Sequence, residues 1–175
     1  GAILRVNNLK KFFPIKKGIF SRTVDHVRAV DDVSFELKRR ETLGLVGESG
    51  CGKTTLGRSI IQLLRPTSGE IYFGDSPNLA DLSNRQLFPY RRQMQMIFQD
   101  PYSSLNPRMT AGATVSEPLA VHRLAKGEAR RKRLKELFDL VGLPADAMDR
   151  FPHEFSGGQR QRIGVARALA VDPEV

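Results

Sequence analysis

Apolar residues recur along the first third of the chain with a period near two, and later with a period near 3.6. Residues 3–6 and 27–37, the latter through Val27, Ala29, Val33, Phe35 and Leu37, mostly alternate with polar positions and predict strands. Between them, residues 14–26 are basic and contain Gly and Pro, the composition of a long surface loop. Thr42-Leu43-Gly44-Leu45-Val46 predicts a buried strand. Residues 55–64 predict a helix, because Leu56, Ile60, Ile61 and Leu64 stand at helical spacing before Pro66. Pro66-Thr67-Ser68-Gly69 reads as a turn into a strand at Glu70-Ile71-Tyr72-Phe73-Gly74. Ser83 and Gln86 have capping-box spacing and start a short helix ending near Pro89. Met94-Gln95-Met96-Ile97-Phe98 is a short apolar strand that delivers Gln99 to the mouth of a loop. Asp100 through Arg108 is rich in turn residues. Helices are predicted at 113–122, 127–141 and 157–170, with Gly142-Leu143-Pro144 ending the middle one. The pattern is that of an α/β core interrupted by an α-helical subdomain. It divides into a core at 1–99, a loop and helical region at 100–155, and a last helix with its entry at 156–175.

Chemistry enters at Gly47-Glu48-Ser49-Gly50-Cys51-Gly52-Lys53-Thr54, which fits G-x-x-x-x-G-K-[ST] between a predicted strand and a predicted helix. Gly47, Gly50 and Gly52 let the backbone turn tightly, so that successive N–H groups and the positive end of the helix converge on phosphate oxygens. Lys53 then reaches the β- and γ-phosphates, and Thr54 offers its hydroxyl to Mg2+. The candidate ATP-binding residues here are Gly47, Glu48, Ser49, Gly50, Cys51, Gly52, Lys53, Thr54 and Thr55.

Composition narrows the partners without choosing one. With 175 residues, 40% hydrophobic and 27% charged, the chain suits one sizeable globular domain, and no apolar run reaches membrane-spanning length. The N-terminal residues show no signal-peptide pattern, since Arg5, Asn7, Asn8, Lys10 and Lys11 interrupt any apolar stretch. The single cysteine cannot form an internal disulfide, which fits a reducing cytosol. A net charge of +9 asks for acidic partners, whether nucleotide, nucleic acid or anionic lipid. Its densest cluster, Arg130-Arg131-Lys132-Arg133, shares a predicted helix with an apolar stripe of Leu134, Leu137, Phe138 and Val141 and reads as a solvated face.

A second motif lies at Phe155-Ser156-Gly157-Gly158-Gln159. Ser156 is placed to cap a helix with Gln159 three residues on, while Gly157 and Gly158 leave the first turn bare, the form of an anion site. Together with the phosphate loop and the intervening Gln99, and followed by Arg160-Gln161-Arg162 and Ala166-Arg167-Ala168-Leu169, this segment resembles the signature of ABC transporter ATP-binding subunits, with Phe in place of the usual leading Leu. The resemblance covers essentially the whole chain. It implies a P-loop NTPase with an ABC-type RecA-like core, N-terminal antiparallel strands and an α-helical subdomain, working with ATP and Mg2+. Gln99 corresponds to the Q-loop glutamine, a contact for Mg2+ along with Thr54, and Phe13 resembles the aromatic that stacks on adenine, with Phe12 the second choice. Ser156, Gly157, Gly158 and Gln159 are the signature residues that meet ATP held by a second subunit.

Within that family, Phe98-Gln99-Asp100-Pro101-Tyr102-Ser103-Ser104-Leu105-Asn106-Pro107-Arg108-Met109 resembles the dipeptide and oligopeptide importer branch. So do the basic insert after Phe13 and Phe151-Pro152-His153-Glu154. The resemblance implies a second ATPase subunit, identical or different, and transmembrane permease subunits as partners. An extracytoplasmic substrate-binding protein follows indirectly, and the location implied is the cytoplasmic face of the membrane. It also implies that Asp172-Pro173-Glu174-Val175 leads into the strand bearing the Walker B carboxylates, ahead of the switch histidine. None of the catalytic residues is then present, and this segment is expected to bind ATP without hydrolysing it. Asp172, Glu174 and His153 are not those groups. Two alternatives remain open: a nucleic-acid- or ribosome-associated ABC ATPase that uses the basic charge, and a non-catalytic nucleotide-binding fragment. No aromatic-basic interleaving supports the first, so no nucleic-acid partner is expected.

Overall fold

Two long strands, β1 (Ala2–Lys17) and β2 (Arg22–Lys38), pair as an antiparallel hairpin, and β3 (Ser68–Phe73) adds to the other edge of β1, giving the order β2-β1-β3. The computed structural model describes all residues, 1–175, in two compact units, 1–90 and 91–175.

In the first unit Leu4 and Val6 alternate inward from β1 as a half-buried strand requires. The register then shifts between Val6 and Leu9, where Asn8 takes φ 47, so that Leu9 returns to the buried face. Asn8 is held there by the Ser34 hydroxyl, which accepts its N–H at 2.7 Å, and by Asp32, which accepts its side-chain amide at 2.8 Å. Val6, Leu9, Ile71, Leu79 and Leu87 form the fully buried centre, and Leu56 and Ile60 of α1 (Lys53–Ile60) are buried with them.

Three expectations for this unit change. Residues 14–26 are not a loop: β1 and β2 stay paired through Lys17↔Arg22, and Pro14 is tolerated because β3 pairs with β1 only as far as Lys10, leaving that edge open where Pro has no N–H to give. Residues 42–46 are not a strand and are not buried, since no described residue pairs with them, and Val46 is almost wholly exposed. The helix after the phosphate loop begins at Lys53 and stops at Ile60, well before Pro66. Its end is a Schellman motif with Gln62 at φ 61: Leu63 N–H bonds Arg58 C=O at 2.9 Å and Gln62 N–H bonds Ser59 C=O at 3.2 Å. Its polar side chain bonds Ser59 C=O as well, at 3.0 Å, and so conceals a position usually given to Gly.

Helix α2 (Asn84–Gln93) starts with the expected reciprocal cap, Ser83 N–H to Gln86 Oε1 at 2.9 Å and Gln86 N–H to Ser83 Oγ at 3.3 Å. It does not end near Pro89. The helix runs through the proline to Gln93, forgoing one hydrogen bond.

The second unit packs α3 (Ala111–Val121), α4 (Gly127–Leu140) and α5 (Gly157–Leu169) around Val115, Leu119, Leu137, Phe138 and Ile163. Gly142 at φ 72 ends α4 in a Schellman motif, with Leu143 N–H bonding Phe138 C=O at 2.9 Å. The expected strand at 94–98 is absent. Its neighbourhood holds one rung of a parallel ladder: Val175 N–H bonds Gln93 C=O at 3.1 Å and Gln95 N–H bonds Val175 C=O at 2.9 Å. One rung does not make a strand.

Candidate functional site

The phosphate loop leaves residues 42–46 and closes on the first turn of α1. Gly50 and Gly52 sit at φ 82 and φ 101, and a Cβ on Gly52 would run into the Ala29 carbonyl, so the close approach of the loop to β2 needs glycine. A Cβ on Gly47 would meet the Cys51 sulfur and lie 3.8 Å from the Lys53 ammonium. Lys53 folds back over the loop, donating to the Gly47 carbonyl and, at 2.9 Å, to the Glu48 carbonyl, with Cys51 Sγ at 3.5 Å. Gly47, Glu48, Ser49, Gly50, Cys51 and Thr54 are exposed, while Gly52, Lys53 and Thr55 are half-buried. No side chain caps the N-terminus of α1, whose N-cap is Gly52. The loop therefore presents an ammonium, a hydroxyl and uncapped helix N–H groups within one short stretch of chain, a donor set that fits phosphate. The described residues contain no cluster of His, Cys, Asp and Glu able to hold a metal ion. Mg2+ fits a site of this composition only in company with phosphate oxygens, the usual way this ion binds, with the Thr54 hydroxyl as the protein's share.

On β1, Phe13 carries the more exposed ring, 38% accessible, with the Lys11 ammonium 5.0 Å from its centroid. Phe12 is half-buried under Arg28, whose guanidinium carbon is 5.6 Å from that ring.

In the second unit Gln99 is exposed and opens a tight turn built on Asp100. The Asp100 carboxylate accepts from the Ser103 hydroxyl at 2.8 Å and the Tyr102 N–H at 2.9 Å, and these bonds, the hydroxyl first, hold its pKa below the ordinary carboxylate value. The signature helix α5 has the predicted capping box: Gln159 N–H to Ser156 Oγ at 3.2 Å, and Ser156 N–H to Gln159 Oε1 at 3.0 Å. Ser156 and Gln159 thus serve each other, while Gly158 has open space where a side chain would stand. Phe155, standing where Leu is usual in the family resemblance, is buried in the core of this unit and anchors the entry to α5.

Two residues near the signature escaped sequence reasoning. Tyr102 lies with the Arg160 guanidinium carbon 4.5 Å from its ring centroid, and its hydroxyl is 3.1 Å from where a Cβ on Gly157 would stand. Arg167 ties α5 to the turn region through a 3.0 Å bond from Nη1 to the Ser104 carbonyl, and burial lowers its pKa, with Glu117 acting the other way. Both stand inside stretches noted for their family resemblance, but no periodicity or spacing relates residue 102 to 160.

The fold and this pair of motifs define a P-loop NTPase. Among solved structures, the ATP-binding cassette MJ0796 bound to ADP and Pi, a dimer, matches with TM-score 0.84 and 32% identity over 97% of this chain and 70% of that one. The family model for ABC transporters matches residues 30–175, and the chain belongs to that family. The oligopeptide transport ATP-binding protein AppF of Bacillus subtilis is 50% identical over 99% of this chain and 53% of its own length. OppF of the same organism, also an oligopeptide transport ATP-binding protein, is 53% identical over 98% and 54%. The glutathione import ATP-binding protein GsiA of Salmonella paratyphi A is 50% identical over 99% and 28%. The chain spans about half the length of the first two relatives, and a smaller share of the third.

Proposed function

We propose that this chain is the ATP-binding part of a subunit that energises an ABC importer for dipeptides or oligopeptides. The observation that carries the ATP reading is the phosphate loop, where the Lys53 ammonium, the Thr54 hydroxyl and uncapped helix N–H groups stand within one short stretch of chain. The peptide reading rests on the relatives, two of which are oligopeptide transport proteins and one a glutathione import protein.

In this reading Lys53 releases the Gly47 and Glu48 carbonyls and turns its ammonium to the β- and γ-phosphates. Thr54 contributes its hydroxyl to the ion that accompanies the nucleotide, and Phe13 stacks on adenine. Mg2+, when bound, supplies charge neutralisation for the phosphate oxygens. Gln99 senses the nucleotide and passes its state to the turn held by Asp100. Ser156, Gly157, Gly158 and Gln159 address ATP held by a second subunit, identical or different. ATP thereby adds contact energy to the closed pair, and its loss reopens the pair. Transmembrane permease subunits, and through them a substrate-binding protein, complete the proposed assembly at the cytoplasmic face of a membrane.

Equilibrium binding of a fluorescent ATP analogue tests the core of this reading. Hydrogen bonds to charged groups contribute roughly 1.5–3 kcal/mol, so Lys53→Ala is expected to weaken binding about ten- to hundredfold. Wild-type affinity in that variant, with its fold intact by circular dichroism, would remove the assignment.

A further inference from the structure

The β1–β2 hairpin outruns its sheet. Pairing with β3 stops at Lys10↔Ser68, whereas pairing between β1 and β2 continues to Lys17↔Arg22, so a two-stranded arm projects beyond the three-stranded part. Its tip is closed by Gly18 at φ 82 and Ser21 at φ 48, with Ser21 N–H bonding Gly18 C=O at 3.1 Å. The residues between are not turn formers: Ile19 is 98% exposed and Phe20 84%.

Charge surrounds this apolar end. Lys16, Lys17 and Arg22 flank it, all exposed, and none is in an ion pair among the described residues. Asp25 is the one acid between residues 14 and 26, and its carboxylate is engaged by the His26 N–H at 2.8 Å. Lys16 and Lys17 are consecutive on a strand and so project to opposite faces of the arm. A protein groove that grips one face of a hairpin reaches only half of this charge. A flat anionic surface met end-on reaches both faces, with the apolar pair entering first.

We propose that the tip at residues 18–21 is an interfacial anchor for a bilayer containing anionic lipid. Ile19 and Phe20 enter the boundary between headgroups and acyl chains, and Lys16, Lys17 and Arg22 lie at the level of the lipid phosphates. Long basic side chains suit this position because their stems cover apolar surface while their charge stays in water. Two side chains and three cations make a weak, reversible contact, a guide to orientation beside integral partners. The proposal goes beyond the importer reading and does not depend on ATP binding.

Flotation of the chain with vesicles tests it, since aggregated protein stays at the bottom of the gradient. Vesicles of phosphatidylcholine with about 30% phosphatidylglycerol are expected to carry the chain at least about tenfold better than phosphatidylcholine alone, with the difference collapsing at high salt. Ile19→Ser with Phe20→Ser is expected to lower partition about tenfold on the anionic vesicles, and Lys16→Glu with Lys17→Glu and Arg22→Glu to abolish the anionic preference. None of these residues belongs to the phosphate loop or signature, so ATP-analogue binding should be unchanged, which separates this result from the ATP reading. In a second readout, Phe20→Trp should shift its emission to the blue on anionic vesicles only. Failure to float on anionic vesicles, equal flotation on both lipids, unaltered flotation of the variants, or tip-dependent capture by a protein without lipid affinity would each overturn the proposal.

Discussion

Gly52 carries two separate constraints: φ 101 excludes an ordinary side chain, and the Ala29 carbonyl occupies the space where a Cβ would go. Gly52→Ala should therefore cost roughly 1–3 kcal/mol from backbone conformation, with a further steric penalty that pushes the loop off β2. Thermal or denaturant unfolding would measure it, and Gly50→Ala supplies the comparison. Gly50 has φ 82 but open space around it, so the difference between the variants isolates the steric part. Equal losses would mean that contact with β2 is of no consequence. The motif pattern made these glycines legible as a loop. It could not distinguish the one pressed against β2, because Ala29 is brought there by pairing of distant strands.

At the level of elements, ends written in local chemistry were legible. The Ser156/Gln159 and Ser83/Gln86 caps formed as the spacing predicts, and Gly142 ended α4. The end at Gln62 was hidden because a non-glycine residue adopted the left-handed conformation. The long hairpin was hidden because Pro14, Gly18 and its basic residues have the composition of a loop, whereas pairing supplies the strand. Ser156→Ala should remove one half of the α5 cap and cost about 1 kcal/mol by chemical denaturation. Ser156→Arg, which crowds the turn bearing Gly157 and Gly158, should leave single-chain ATP affinity unchanged but prevent nucleotide-driven pairing in the protein that forms pairs. Pairing at wild-type strength would contradict the role in trans.

Helix α3 provides a pH test of the same kind. Its C-cap is His122, whose pKa is lowered from 6.5, first by burial and then by Arg92. The unfolded chain consequently binds more protons than the folded one just below pH 6.5, and stability falls as pH falls through that range until the folded pKa is passed. His122→Gln should flatten this part of the melting-temperature profile without altering it near pH 8. A profile of unchanged slope would show that the residue titrates alike in both states.

At the level of the whole molecule, two segments that the sequence reads as buried strands, 42–46 and 94–98, have no strand partner among the described residues. Local pattern marks them as apolar, but only long-range pairing makes a strand, and Val175 gives the second segment a single rung. Val46 is 98% exposed and Leu43, Leu45 and Ile97 are each more than 40% exposed, surface that invites association. The chain also contains Lys53 and Thr54, the proposed contacts for the nucleotide, while the residues that the family resemblance assigns to orienting the attacking water are not among these 175. The expectation is a chain that binds ATP weakly, shows no steady-state hydrolysis above background, and aggregates with rising concentration. Phosphate release, with Lys53→Ala as the control for contaminating ATPase, and light scattering on the same samples measure both parts. Turnover that disappears in Lys53→Ala would mean that residues within these 175 orient the water, and it would reassign the chemistry to groups other than those named here.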